Sequence, residues 1–190
     1  MNDPIKPNPE LALFVRVCRQ ALADKTPEAA QLALIKPALM SLLQSPDWLP
    51  ASHRRPREDR YAQYPVYVAP DNSFSIVSFV WKPGQWTPIH DHTVWGVIGI
   101  YQGLERTEVF EKQQGRYVLT RTIDSQVGEV GAVSPEIGDV HRVGNVSDTV
   151  SISIHVYGGN IGEIERHVFE EDGSSKAFIS GYEPAPALID

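Results

Sequence analysis

The sequence predicts a mainly β protein: a small β-barrel or jelly roll behind an N-terminal helical preface. Three observations carry this. Residues 1–50 show helix start signals and apolar residues at helical spacing. From about Tyr64 the texture changes to short β-branched and aromatic runs broken by Gly, Pro, Asn and Asp. No helical segment is interleaved among those runs, and many short strands without intervening helices form a sandwich or barrel. At 190 residues the chain suits one domain with a real core. The expected organisation is a preface over 1–50, a barrel over 60–182 and a tail over 183–190.

Within the preface, Asn8 and Pro9 form an N-cap and first-turn pair ahead of Leu11, Phe14, Val15, Cys18 and Leu22. Thr26-Pro27 repeats the start signal before the apolar segment from Ala29 to Ile35. Pro37 is expected to open a separate helical turn through Leu43, ended by Ser45-Pro46. Candidate strands are Val66–Ala69, Phe74–Trp81, Trp95–Tyr101, Leu104–Phe110, Tyr117–Thr122, Val140–Val143 and Val150–Tyr157. Turn residues separate them at Pro70-Asp71-Asn72, Lys82-Pro83-Gly84, Gln113-Gln114-Gly115 and Asn145-Val146-Ser147-Asp148. The tail, Glu183-Pro184-Ala185-Pro186 onward, is expected to cross the surface or be loosely ordered.

Hydrophobic residues make up 42% and charged residues 22%, both ordinary for a globular chain. A net charge of −7 argues against nucleic acid or an anionic membrane as the main partner. The one basic cluster, His53-Arg54-Arg55-Pro56-Arg57, runs into Glu58 and Asp59 without aromatics and is expected to be a solvated connector. No apolar run approaches the roughly 20 residues of a membrane span. The N-terminus MNDPIKPNPE lacks the basic start and apolar core of a secretory signal. The only cysteine, Cys18, is expected to pack as a small apolar residue. A cytoplasmic location follows as an expectation. Nothing in the sequence distinguishes a monomer from a homo-oligomer.

His90 and His92 are two apart in an extended segment, so their side chains share a face. Alone, such a pair is either surface or half of a metal site. The surroundings decide. Gly84 precedes His90 by five intervening residues, three separate His92 from Gly96, and six more lead to Gly103. Downstream, two residues separate Gly138 from His141 and three more lead to Asn145. These two patterns, in this order, resemble the two motifs of cupin barrels. The departures are Gly96, where the first motif usually carries a glutamate, and Pro135, displaced by one. His90, His92 and His141 are therefore expected to hold one metal ion, while Asp91 alternates away from it. Three neutral imidazoles leave about three coordination positions free, which suits an anionic atom such as a thiolate beside O₂. By ligand type alone, Zn²⁺ is equally allowed.

The stretch from about Arg60 to Tyr182 resembles the thiol dioxygenases of the cysteine dioxygenase family, most closely their bacterial 3-mercaptopropionate dioxygenase branch. The segments SFVWKPGQWTPIHDHTVWGVIG, SPEIGDVHRVGN, SISIHVYGGNIG and AFISGY carry the likeness. It implies a cupin that binds Fe(2+) through His90, His92 and His141 and converts a small thiol to its sulfinate with O₂. On pattern alone, the alternation of Ser151, Ser153, His155 and Tyr157 against Ile152, Ile154 and Val156 allows a polar face outside or inside the barrel. The resemblance puts it inside, with Ser153, His155 and Tyr157 as a hydrogen-bonded relay beside the iron.

Two departures from the cysteine-oxidising members bear on substrate. Gln63 stands where they carry an arginine for the substrate carboxylate. Gly96 stands where they carry a cysteine cross-linked to the tyrosine, so Tyr157 cannot form that thioether. In the 3-mercaptopropionate branch a later arginine binds the carboxylate, and Arg166 matches it; on its surroundings alone, Arg166 beside Glu165 could equally be a surface residue. The favoured substrate is 3-mercaptopropionate, with L-cysteine second. A non-redox zinc or manganese cupin enzyme, or a ligand-sensing cupin, is the alternative. Phe79, Trp81, Trp86 and Trp95 could line a pocket but are expected in the core. His53 and His167 carry no motif and are expected at the surface.

Overall fold

The computed structural model describes residues 8–23 and 26–189. Parts of the expected preface (1–7, 24 and 25) and the last tail residue lie outside the described residues. Two helices come first, α1 (Pro9–Ala21) and α2 (Glu28–Gln44). Asn8 caps α1: its Oδ1 accepts the backbone N–H groups of Glu10 and Leu11, two of the donors a helix start leaves unpaired.

Pro37 does not divide α2. The helix runs through it, against the expectation of a separate turn. Leu32, Ile35, Leu39, Leu42 and Leu43 form one buried row across the proline, and burial of that row outweighs the one backbone bond Pro37 cannot donate.

Eleven strands follow among the described residues: β1 (Ala62–Val68), β2 (Ser75–Trp81), β3 (Ile89–His90), β4 (Gly96–Gln102), β5 (Leu104–Gln113), β6 (Arg116–Gln126), β7 (Val130–Val133), β8 (His141–Asn145), β9 (Ser151–Tyr157), β10 (Arg166–Phe169) and β11 (Ser175–Phe178). The first sheet has the order β1-β2-β9-β4-β7 and the second β11-β10-β3-β8-β5-β6, with every neighbouring pair antiparallel. The fold class is thus mainly β, two antiparallel sheets forming a jelly-roll barrel, as the sequence predicts.

The first sheet is buried on both faces. Outward, Ile76, Val80, Val97, Ile152, Ile154 and Val156 pack with Leu11, Phe14, Ile35 and Leu39 of the helices. Gly99 of β4 lets α2 come close: a Cβ there would stand 2.6 Å from Leu43 Cδ1. Inward, Val77, Phe79, Trp81 and Tyr157 meet Val143 of the second sheet. No helix among the described residues is long and apolar enough to cross a membrane.

One peripheral expectation changes, and two gain detail. His53 is fully buried rather than at the surface. Its Nε2 faces the Pro65 carbonyl at 3.1 Å, its Nδ1 faces Ser52 Oγ, and its own carbonyl accepts from Ser78, so it pins the connector after the helices to β1 and β2. The tail is tied down: Leu188 is buried, and Glu183 pairs with Arg57 and Arg60. Arg57 also pairs with Asp59, so the basic connector is neutralised locally.

Candidate metal centre

Strand β3 is only two residues long, yet it places the site. His90 pairs directly with His141 of β8 across the second sheet, and His92 follows where the chain leaves the strand. All three side chains are buried, and their ligand atoms lie within 4.8 Å of one another.

Oxygen acceptors orient two of the rings. His90 Nδ1 faces the Pro88 carbonyl at 3.0 Å, and His92 Nδ1 faces Asp139 Oδ1 at 2.8 Å. A ring nitrogen that donates to oxygen leaves the other bare, so both rings present Nε2 to the centre. Asp139 also accepts the backbone N–H groups of His92 and Thr93, each at 2.9 Å, where Thr93 takes a left-handed φ of 61°. One carboxylate therefore fixes both the ring and the corner that carries it. Burial alone would raise Asp139, but the hydrogen bonds from His92 outweigh this and hold its pKa below the usual value.

Burial, reinforced by the neighbouring imidazoles, pushes His90 down to about 3 and His141 well below the usual histidine range. These two are neutral at physiological pH, with no proton to lose before ligation. Three imidazoles, two held in one tautomer by oxygen partners, fit a divalent transition metal. Asp91 points elsewhere, as expected, and bonds the backbone N–H and ring of His167.

Facing the triad, β9 turns its polar side into the barrel. His155 Nε2 lies 2.8 Å from Ser153 Oγ, and its Nδ1 lies 2.8 Å from the Tyr157 hydroxyl. Trp81 Nε1 donates to Ser153 Oγ at 3.3 Å. The Tyr157 ring packs over His92 with centroids 5.4 Å apart. Gly96 explains the space: a Cβ there would stand 3.0 Å from Tyr157 Cε1. Tyr157 fills the position a longer side chain at 96 would need.

One cavity of about 260 Å³ joins these groups: the triad, His155, Tyr157, Gln63 and Arg166 all line it. Arg166 is 3% exposed and not at the surface. Its guanidinium lies 4.7 Å from the Phe178 ring centroid, and Nη2 donates to Ser180 Oγ at 2.7 Å. Its Nε is buried without a partner. Phe79 and Trp81 line the same cavity, whereas Trp95 packs in the outer core and Trp86 lies over Gly144. Phe79 stacks on His155 at 4.1 Å, and Tyr61 stacks on Trp81 at 4.5 Å.

Sequence reasoning missed Asp139 and Tyr61. Asp139 left a signal, an acid two residues before a ligand histidine, where it can reach the other ligand loop. Tyr61 left none.

No protein-family model matches the chain. Among solved structures, the chain is similar to a double-stranded β-helix protein from Klebsiella pneumoniae, at 19% identity over 59% of this chain and 90% of that one, TM-score 0.46. It is similar to a cupin superfamily protein from Desulfitobacterium hafniense at 14% identity, over 59% and 90%, TM-score 0.45. It is also similar to an oxalate decarboxylase from Lactobacillus farciminis at 24% identity, over 57% of this chain and 32% of that one, TM-score 0.46.

Proposed function

We propose that the protein is a non-haem iron thiol dioxygenase that oxidises a small thiol carboxylic acid with O₂ to its sulfinate. The supporting observation is one cavity lined at one end by three buried histidines and Tyr157, and at the other by a buried arginine without a carboxylate partner. Fe(2+) held by His90, His92 and His141 would supply a redox-active Lewis acid able to bind a thiolate and O₂ together.

The chain's own residues do the rest. Arg166, with Nε unpaired, holds the substrate carboxylate and so fixes the distance at which the sulfur arrives. The wall of Tyr61, Phe79 and Trp81 keeps water from the reacting end. Tyr157 presents its hydroxyl beside His92, and His155 and Ser153 hold that hydroxyl in place.

The lining also orders the substrates. It includes Arg166 and Lys176 but no carboxylate. L-cysteine would bring an ammonium with no anion to meet it, so 3-mercaptopropionate is favoured. Gln63 lines the cavity as a neutral side chain and adds no positive charge of its own.

The test is a steady-state comparison of 3-mercaptopropionate, L-cysteine and cysteamine with iron-loaded protein, following O₂ uptake and sulfinate. The expected order of kcat/KM is 3-mercaptopropionate, then cysteine, then cysteamine. O₂ consumption with none of them, or activity with Zn²⁺ that ignores O₂, would remove this function.

A further inference from the structure

A buried carboxyl group stands beyond Ser153, at the far end of the hydrogen-bonded chain along β9. Glu105, just after the left-handed Gly103, is 2% exposed, and its Oε1 accepts the Ser151 hydroxyl at 3.0 Å. Ser151 and Ser153 are two apart on one face of β9, so this carboxyl lies beside both hydroxyls. Its Oε2 is buried without a hydrogen-bond partner. None of the ion pairs among the described residues involves it. Burial pushes Glu105 up to about 8, against the two serine hydroxyls, so at neutral pH it is a carboxylic acid with one proton to donate. Glu105 and His155 both border a second cavity, of about 530 Å³, which also shares His141 and Val143 with the first.

The direction of the chain turns on Ser153. Its Oγ has one proton and two lone pairs, and Trp81 Nε1 takes one lone pair. If Ser153 donates to His155 Nε2, the single N–H of the neutral imidazole sits on Nδ1 and donates to the Tyr157 oxygen. The Tyr157 proton is then free to point into the metal cavity. If Ser153 instead donates to a carboxylate at Glu105, the imidazole proton sits on Nε2. Nδ1 then accepts the Tyr157 proton and turns it away from the cavity. A carboxylic acid at 105 that turns its Oε2 proton onto the remaining lone pair of Ser153 would enforce the first arrangement.

We propose that Glu105 is a positioning residue which, through Ser153, sets the tautomer of His155 and so whether Tyr157 offers its proton to the substrate cavity. The catalytic part of this rests on the thiol dioxygenase function above; the tautomer part does not.

Histidine-selective ¹⁵N NMR of the full chain loaded with Zn²⁺, a diamagnetic ion, reads the tautomer directly. Wild type and Glu105→Gln, whose amide N–H replaces the acid proton, should both show His155 protonated on Nδ1. Glu105→Met, of similar volume but without a donor, should lose that preference. Ser153→Ala breaks the same link with a smaller change and should do likewise, which keeps the test decisive if the methionine variant misfolds. In the iron-loaded enzyme, Glu105→Met should lower kcat on the order of tenfold to a hundredfold with KM and metal content unchanged, while Glu105→Gln keeps the wild-type kcat. The same His155 tautomer in every variant, or a glutamine variant that behaves like the methionine one, would overturn the proposal. Loss of thiol oxidation by wild type would instead overturn the assigned reaction and leave the tautomer result standing.

Discussion

Arg166 shows how much a single residue's burial decides. A guanidinium carries five N–H donors. Here one nitrogen donates to Ser180, and Nε, buried, has no partner. A buried cation without a counter-ion is costly unless a ligand completes it. Arg166→Ala should therefore raise KM for 3-mercaptopropionate by roughly tenfold to a hundredfold, the loss of about 1.5–3 kcal/mol of charge-assisted hydrogen bonding. Cysteamine, which has no carboxylate, should be oxidised as before. Steady-state kinetics on both thiols checks this, and an equal loss for cysteamine would sink the carboxylate role. From the sequence, Arg166 was legible as a residue type in the right segment, but its surface alternative stayed open because local neighbours such as Glu165 say nothing about burial. His53 went wrong for the same reason: it carries no motif, and the contacts that bury it come from Ser52, Pro65 and Ser78. The three metal histidines were legible because their spacing, not their burial, carries the information.

At the scale of elements, strands with strong alternation were read within a few residues, and weak or short ones were missed. β3 is two residues, β7 and β10 are four each, and β11 is the largely polar SKAF. Such strands exist because a partner is present: β10 pairs with both β3 and β11, and neither contact leaves a local periodicity. The loss matters, since β10 carries Arg166. In α2 the error ran the other way. A proline removes the bond to the carbonyl four residues back and crowds it, so the sequence predicts a boundary at Pro37. The buried leucine row holds the helix together across that defect. Pro37 and Ala33 are both exposed, so Pro37→Ala can restore the missing bond without disturbing the core. It should stabilise the protein by about 1–2 kcal/mol, less than the full helix-interior penalty because the unfolded chain also gains freedom. Urea denaturation checks the sign, and a variant no more stable than wild type would mean that the helix is already relaxed around the proline.

For the whole molecule, the two faces of β9 divide the labour. Ile152, Ile154 and Val156 join the outer core under the helices, and His155 and Tyr157 line the metal cavity with Ser153 bonded behind His155. The sequence shows that alternation plainly, but not which face lies inside, because the helices bury the outer one and leave no solvent-facing side as a reference. A polar interior has a thermodynamic cost that can be measured. Glu105 is raised from 4.5 to about 8 by burial, and the neighbouring histidines 141 and 155, themselves lowered by burial, bring no positive charge to offset it. Below pH 4.5 Glu105 is protonated in both the folded and unfolded states and costs nothing. As pH rises from 4.5 towards 8, the unfolded chain releases the proton while the folded protein keeps it, so stability falls across that window and levels off above it. Glu105→Gln titrates in neither state. Its Tm relative to wild type should therefore climb steadily from pH 4.5 to about 8 and then stay constant. Thermal unfolding of the two proteins in parallel isolates this group, since every other titration is common to both. A difference in Tm that does not change with pH would mean Glu105 keeps an ordinary carboxylate pKa, with an ionised side chain inside the barrel.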